Sequence, residues 1–187
     1  MKGYIYTMFK GADPSVGWKM TDPIYGKVPT MGACMPNIRR LVEKGDFIFS
    51  VSGRVATVVP HIVGGFQVDD KINALIAYKR FPDNRMVQKE DGGLAGNIIV
   101  DAEGNHLPFD YHDKFEKRLE NYVVGKNALS FETLEQMNNA KKETVDILNE
   151  IFNKKEDSVS KIIGRCRKLD ESQIKHLLDW MNKIKAI

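Results

Sequence analysis

The 187-residue sequence predicts an α+β protein, with a β-rich body at residues 1–129, either a curved sheet or a barrel, and a helical extension at residues 130–187. The body contains several short runs of aromatic and β-branched residues, which are typical of strands. The extension has a long run without Gly or Pro, residues 131–153, in which apolar residues recur at helical spacing. The composition, 42% hydrophobic and 28% charged, is that of a folded globular chain.

The segment at residues 30–53 combines the clearest local signals. Pro36 fits the first position of a helix, where its missing N–H group costs nothing. The helix is predicted from three apolar residues on one face: Ile38, Leu41 and Val42. Gly45 suits the left-handed residue that often closes a last helical turn. The run FIFSV at residues 47–51 then predicts a buried strand.

The rest of the body is predicted from residue type and turn signals. Residues 3–9 form the first strand, and residues 10–30 form an irregular loop whose Trp18 indicates an ordered segment over a cleft. Further predicted elements are extended runs at 55–63, 66–68 and 74–78, a hairpin of 97–101 with 106–109, a short helix at 111–120 and an extended run at 121–125. Between two of these runs, Gly64 and Gly65 indicate a bulge, a close ligand approach or a tight turn.

The extension is predicted to hold three helices, at residues 131–153, 158–166 and 171–187. Asp170 is the expected N-cap of the last helix, because aspartate accepts hydrogen bonds from free backbone N–H groups. The apolar stripe on these helices predicts packing against the body or against a second copy, so a homo-oligomer is possible.

The net charge, the cysteine count and the length of the apolar runs exclude several classes of protein. A net charge of +3 is too small to indicate a nucleic-acid partner. Two widely separated cysteines give no zinc spacing and favour a reducing, cytoplasmic compartment. No segment reaches the ~20 apolar residues of a membrane span, and no signal-peptide pattern is present. No cofactor and no metal site are predicted.

Two arginines predict an anion site. We expect Arg39 and Arg40 in the first helical turn, where free N–H groups attract anions and cations are disfavoured. The arginine fork suits a phosphate or a carboxylate. Trp18 and Thr30 flank this site in the sequence, and Trp18 could stack on a base. The alternative is that both arginines pair with Glu43 on a solvated face.

Cys34, His61 and Asp46 are the candidate catalytic residues. Cys34 lies just before the helix, where the dipole can lower the pKa of a thiol, and His61 or His106 could act as its base. A small buried cysteine is the alternative. The metal-compatible group around residues 106–113 is expected to be split between two faces of an extended chain; it comprises His106, Asp110, His112 and Asp113.

The sequence resembles the second nucleotide-modification-associated domain family over roughly residues 1–129. The resemblance is carried by Asp22-Pro23, Gly26, Thr30, Ala33, Cys34, Pro36, Ile38, Arg39, Arg40, Gly45 and Asp46. It departs from the family pattern at Ile24, where an aromatic is usual, and at Phe47, where Trp is common. The resemblance implies a phage or mobile-element pathway that handles modified bases. The order of helix, Gly-Asp and strand is also similar to PUA-like domains such as EVE and ASCH, which implies a barrel that holds a flipped base.

Three functions are compatible with these observations. The first is binding of a modified nucleotide or nucleic acid, through Arg39, Arg40 and the aromatic Trp18, with Thr30, Cys34, Gly64 and Gly65 as further ligand contacts. The second is an enzyme that acts on a nucleotide or nucleobase. The third is an oligomerising protein whose helical extension carries the function.

Overall fold

The computed structural model describes residues 1–187, and its fold is α+β, as predicted. It contains eight strands and six α-helices: β1 Gly3–Thr7, β2 Thr30–Met31, α1 Pro36–Leu41, β3 Phe47–Val51, β4 Ile62–Ile72, α2 Ala74–Arg80, β5 Val87–Gln88, β6 Leu94–Ala95, α3 Glu116–Leu119, β7 Tyr122–Ser130, α4 Leu134–Phe152, α5 Val159–Ile163, β8 Cys166–Leu169 and α6 Glu171–Lys185. The predicted helical C-terminal region is therefore confirmed. None of the helices combines the length and the apolar character that crossing a membrane requires.

Six of the strands form one mixed sheet in the order β2-β7-β4-β3-β1-β8, and β5 and β6 form a separate antiparallel pair. Strand β1 runs parallel to β3 on one side and antiparallel to β8 on the other. The sheet is not closed into a barrel. Of the two predicted forms of the body, a sheet and a barrel, the protein therefore has the sheet.

The chain divides into two compact units. The first comprises residues 1–19, 46–67 and 127–187, and the second comprises residues 20–45 and 68–126. The C-terminal helices therefore belong to the same unit as β1, whereas the sequence indicated a boundary between residues 129 and 130.

The first unit is built on a large apolar core to which α4 and α6 contribute their buried faces. Both helices begin with a capping box, Thr133 for α4 and Asp170 for α6, so the predicted cap at Asp170 is confirmed. Trp180 of α6 packs edge-on against Phe131, with ring centroids 5.8 Å apart. The apolar stripe of α6 is thus packed inside this unit, and oligomerisation through it stays a prediction.

Strand β8 replaces the end of a predicted helix. Helix α5 ends at Ile163 instead of continuing to residue 166, because Gly164 adopts a positive φ of 61°, a backbone conformation that glycine tolerates and that does not continue a helix. Residues 166–169 then pair with β1. This pairing is a long-range contact that local periodicity does not reveal.

The paired glycines lie inside β4 and not in a turn. The register between β3 and β4 shifts by one residue beside Gly64, so a bulge is present where the sequence allowed one. A Cβ atom at Gly65 would lie 2.2 Å from Cδ1 of Phe49, so this position has room only for glycine. In this fold Gly65 lets the Phe49 ring pack directly against the backbone of β4.

In the second unit, three local predictions need correction. Residues 74–78, predicted as extended, form helix α2, because the Asn73 side chain caps it by accepting a hydrogen bond from Leu75 N at 2.7 Å. Helix α1 begins at Pro36 as predicted but ends at Leu41, before Gly45. Residues 111–120 are helical only at Glu116–Leu119.

Candidate active site

The candidate site is centred on the Cys34 loop, residues 32–34, which joins β2 to α1 in the second unit. A single buried carboxylate, Asp22, accepts hydrogen bonds from Gly32 N at 2.9 Å, from Ala33 N at 3.0 Å and from Cys34 N. Asn97 Nδ2 donates a fourth hydrogen bond to Asp22 at 3.0 Å. A Cβ atom at Gly32 would lie 2.3 Å from the Tyr122 ring, so the loop needs glycine there.

The carbonyl groups of the same loop are held by two buried guanidinium groups. Arg39 Nε donates to Cys34 O at 3.0 Å, and Arg118 Nη1 donates to Ala33 O. Both arginine side chains are buried. The Asp22 carboxylate accepts hydrogen bonds from the N–H groups of the Cys34 loop, and the two guanidinium groups donate hydrogen bonds to its carbonyl groups. Buried charges of both signs therefore fix the backbone of this loop.

An apolar cluster brings a second segment to this loop. Ala33 is buried in a cluster with Met86 and Ile99, and Phe115 packs against the same cluster. The Phe115 ring also stacks on His106, with centroids 4.3 Å apart. The segment that carries the histidines is therefore positioned by the apolar surface beneath the Cys34 loop.

A chain of hydrogen bonds leads from Cys34 to a buried carboxylate. Cys34 Sγ lies 3.7 Å from His112 Nε2, and His112 Nδ1 lies 2.6 Å from Asp110 Oδ1. The second oxygen of Asp110 is 2.7 Å from His106 Nε2. The Asp110 side chain is fully buried, whereas both histidines are about one-third exposed, at 30% and 32%.

The charge state of Asp110 fixes the tautomer of His112. Burial alone would raise the pKa of Asp110, but the hydrogen bonds from His112 and His106 outweigh it, so the net effect is a lowered pKa. An ionised carboxylate only accepts hydrogen bonds, so His112 Nδ1 must donate to it. In neutral His112 the lone pair is then on Nε2, which faces the Cys34 sulfur.

The thiol of Cys34 is kept protonated at rest. Burial, followed by the negative charge of Asp22, raises its pKa, although Arg118 and Arg39 act in the opposite direction. Cys34 as a residue is half-buried and not sealed from solvent. The expected lowering of this pKa by the helix dipole is wrong, because burial and, after it, the adjacent carboxylate raise the pKa of Cys34.

The arrangement has the parts needed for nucleophilic catalysis. A thiol faces the basic nitrogen of an imidazole, and a carboxylate orients that imidazole through its other nitrogen. The thiol proton can move to His112 at the moment when the sulfur attacks an electrophilic carbon. The structure has no group of three or more His, Cys, Asp or Glu side chains arranged to hold a metal ion.

The two arginines of the predicted anion site lie in the last turn of α1 and not in the first. At that end the helix dipole favours cations, so the electrostatic argument for an anion there does not hold. Arg39 is buried, whereas Arg40 is exposed and lines a cleft of about 520 Å³ with Asn37, Lys117 and Glu120 among its walls. The N–H groups just before the helix donate to Asp22.

The other sequence-predicted residues have different surroundings. Thr30 is buried beside Asn97, whose Nδ2 lies 3.2 Å from Thr30 Oγ1. In the first unit, Trp18 packs edge-on against Phe9 at 5.4 Å. Asp46 is buried there and accepts a hydrogen bond from Lys2 N at 3.0 Å.

His61 belongs to a separate buried group in the first unit. Its Nδ1 lies 3.2 Å from Ser52 Oγ and 3.9 Å from Asp13 Oδ2. Burial lowers the pKa of His61, and the charge of Asp13 opposes that effect. His61 is thus not the histidine beside Cys34. The histidine that contacts the Cys34 sulfur is His112, which the sequence analysis considers only as a possible metal ligand.

Four further residues of the site gave weak or no functional signals in the sequence: Asp22, Asp110, His112 and Arg118. Asp22 was visible as the first residue of an Asp-Pro step in the family resemblance. The spacing of Asp110 and His112, two residues apart, places both on one face of an extended chain and could have marked them as a pair.

No protein-family model matches this chain, and no curated protein matches it. The resemblance to the second nucleotide-modification-associated domain family therefore stays a prediction that rests on the residues quoted for it.

Proposed function

We propose that this protein is an enzyme in which Cys34 acts as a nucleophile on a nucleotide or nucleobase, in a phage or mobile-element nucleotide-modification pathway. One observation carries the enzymatic part: Cys34 Sγ lies 3.7 Å from His112 Nε2, while His112 Nδ1 lies 2.6 Å from Asp110 Oδ1. The resemblance supplies the substrate class.

In this mechanism the resting pair is a neutral thiol and a neutral imidazole. A substrate carbon approaches the sulfur, the S–C bond begins to form, and His112 Nε2 takes the thiol proton. The charge that develops on the imidazole is stabilised by the Asp110 carboxylate. The raised pKa of Cys34 makes this proton transfer necessary, because little thiolate exists before the substrate arrives.

The test measures the reactivity of Cys34 in a chain that carries Cys166→Ser, which leaves one thiol. We expect His112→Gln to slow alkylation by iodoacetamide at neutral pH by about 10²-fold, the lower end of what a positioned base contributes. His106→Gln is the matched control, because His106 contacts the same carboxylate but its described hydrogen bonds do not include Cys34. Intact-mass spectrometry of acid-quenched mixtures with nucleotides and nucleobases then detects a covalent adduct on Cys34.

Equal alkylation rates in the parent chain and in His112→Gln would contradict the proposal. An adduct that forms equally well in Cys34→Ser would also contradict it. A similar rate loss in His106→Gln would indicate that the loss comes from a disturbed Asp110 and not from a missing base.

A second candidate function is binding of a nucleotide or nucleic acid without catalysis. The observation that favours it is the cleft of about 520 Å³ in which the exposed cations Arg40 and Lys117 lie beside the carboxylates Glu116 and Glu120. For this function we expect Arg40→Gln to weaken a phosphate-bearing ligand by about 1.5–3 kcal/mol, the contribution of a hydrogen bond to a charged group. Calorimetric titration with nucleotides and short oligonucleotides at low and high salt measures it, and equal affinity in Arg40→Gln removes Arg40 from the site.

A further inference from the structure

A second cleft, with a volume of about 690 Å³, lies in the first unit. It is formed by Thr7, the loop at residues 54–60, one residue of α4 and the residues at the start of α5. More than half of its lining residues are apolar, and the larger of these are Val55, Val58, Val59, Pro60, Val145 and Val159. We call it the valine cleft. Its size and its mostly apolar lining are typical of a small-molecule site.

The loop that forms one wall of the valine cleft is held in place by backbone hydrogen bonds. Ser52 N donates to His61 O at 2.8 Å across the base of the loop, and both of these residues are fully buried. At the tip, Val58 N donates to Val55 O at 3.2 Å. Valine side chains have few rotamers, so these walls lose little conformational freedom when a ligand binds. The valine cleft is therefore largely formed before any ligand enters.

The valine cleft has one charged side chain that is not paired within the protein. Two charged residues line it, Arg54 and Asp157. Asp157 is paired with Lys161, whose Nζ lies 2.8 Å from Asp157 Oδ2. Arg54 is exposed, and its side chain forms no ion pair and no hydrogen bond in the protein. Because a guanidinium group binds carboxylates and phosphates through charge-assisted hydrogen bonds, Arg54 provides an anion contact beside apolar surface.

We infer that the valine cleft binds a free small molecule that has an apolar body and one anionic group. The apolar body contacts the valines, and the anionic group contacts Arg54. Val59 is 51% exposed in the unliganded cleft, so a ligand that covers it gains free energy from burial of apolar surface. The inference goes beyond the proposed function and does not rest on it, because the cleft belongs to the first unit and Cys34 belongs to the second.

The test uses two fluorescent probes that have the same aromatic body. Anilinonaphthalene sulfonate carries one anionic group, and phenylnaphthylamine lacks it, so the ratio of their Kd values isolates the contribution of that group. Fluorescence titration of the full chain gives both Kd values for Arg54→Gln and for Val59→Asp. The matched controls are Arg80→Gln, which alters an exposed arginine of the second unit, and Val16→Asp, since Val16 is 51% exposed like Val59 but does not line the cleft.

We expect Arg54→Gln to raise the Kd of anilinonaphthalene sulfonate about tenfold, the effect of losing one hydrogen bond to a charged group, and to leave the Kd of phenylnaphthylamine unchanged. Val59→Asp should raise both Kd values by at least about tenfold, because it places a carboxylate against the apolar body of the probe. Both controls should bind like the parent chain. All four substitutions are at exposed positions, and circular dichroism checks that each variant is folded.

Three results would overturn the inference. The first is a parent chain that shows no saturable binding of anilinonaphthalene sulfonate. The second is a ratio of Kd values that stays unchanged in Arg54→Gln. The third is a loss of affinity in Arg80→Gln or Val16→Asp equal to that in the corresponding cleft variant, which would place the probe elsewhere on the protein.

Discussion

A chain that ends at Gly164 is expected to lose the folded structure of the whole first unit, and not only its last helix. Such a chain lacks β8, which pairs along β1, and lacks α6, which contributes five buried residues to the core: Ile174, Leu177, Trp180, Met181 and Ile184. Truncation of one large buried side chain to alanine costs about 2–5 kcal/mol, so the loss of all five is comparable to or greater than the ~5–15 kcal/mol stability of a typical domain. Circular dichroism and urea denaturation of the truncated chain measure the effect.

The control for this truncation is a pair of identical substitutions on the two long helices. Leu177 is 0% exposed in α6, and Leu134 is 66% exposed in α4, so Leu177→Ala should lower the free energy of unfolding far more than Leu134→Ala. A truncated chain that keeps cooperative unfolding of the first unit would show that its β-sheet folds without β8 and α6.

Replacing Asp22 with alanine is expected to destabilise the protein by about 3–5 kcal/mol, because it leaves several buried donors without their acceptor. Asp22→Asn keeps the shape of the side chain and removes only its charge. Since the carboxylate raises the pKa of Cys34, its removal should lower that pKa and increase the thiolate fraction at any pH below it. The pH profile of Cys34 alkylation should therefore move to lower pH in Asp22→Asn.

Two measurements check this prediction. Chemical denaturation gives the stability of both variants, and iodoacetamide kinetics across pH in the Cys166→Ser background give the profile. A profile that stays in place, or that moves to higher pH while Asp22→Asn remains folded, would show that Asp22 does not control the ionisation of Cys34.

The parts of the fold that were predictable are those determined by neighbouring residues. Asp170 lies directly before an apolar stripe and caps α6, Pro36 begins α1, and the FIFSV run forms β3, all from signals within a few residues. Strand β8 was not predictable in this way, because the four-residue run CRKL has little β character alone and is extended through its pairing with β1.

The candidate site shows the same division between local and long-range information. Cys34 could be selected from its place before a helix, but its partner His112 lies 78 residues further along the chain. The assignment of Arg39 to a helix start failed because the helix has only six residues, so the arginines fall in its last turn. Burial of Arg39 also depends on tertiary packing, and charged residues are rarely fully buried.

The buried charges around the Cys34 loop also restrict how this sequence can drift over evolutionary time. Asp22, Arg39 and Arg118 each hold backbone groups of the same three residues, and each is a charge that is costly to bury without the others. Loss of one by a single substitution leaves the remaining charges uncompensated, so a neutral replacement at one position gains little unless the others change as well. The three positions should accordingly be inherited as a set, together with the glycine at position 32 that lets the Tyr122 ring approach.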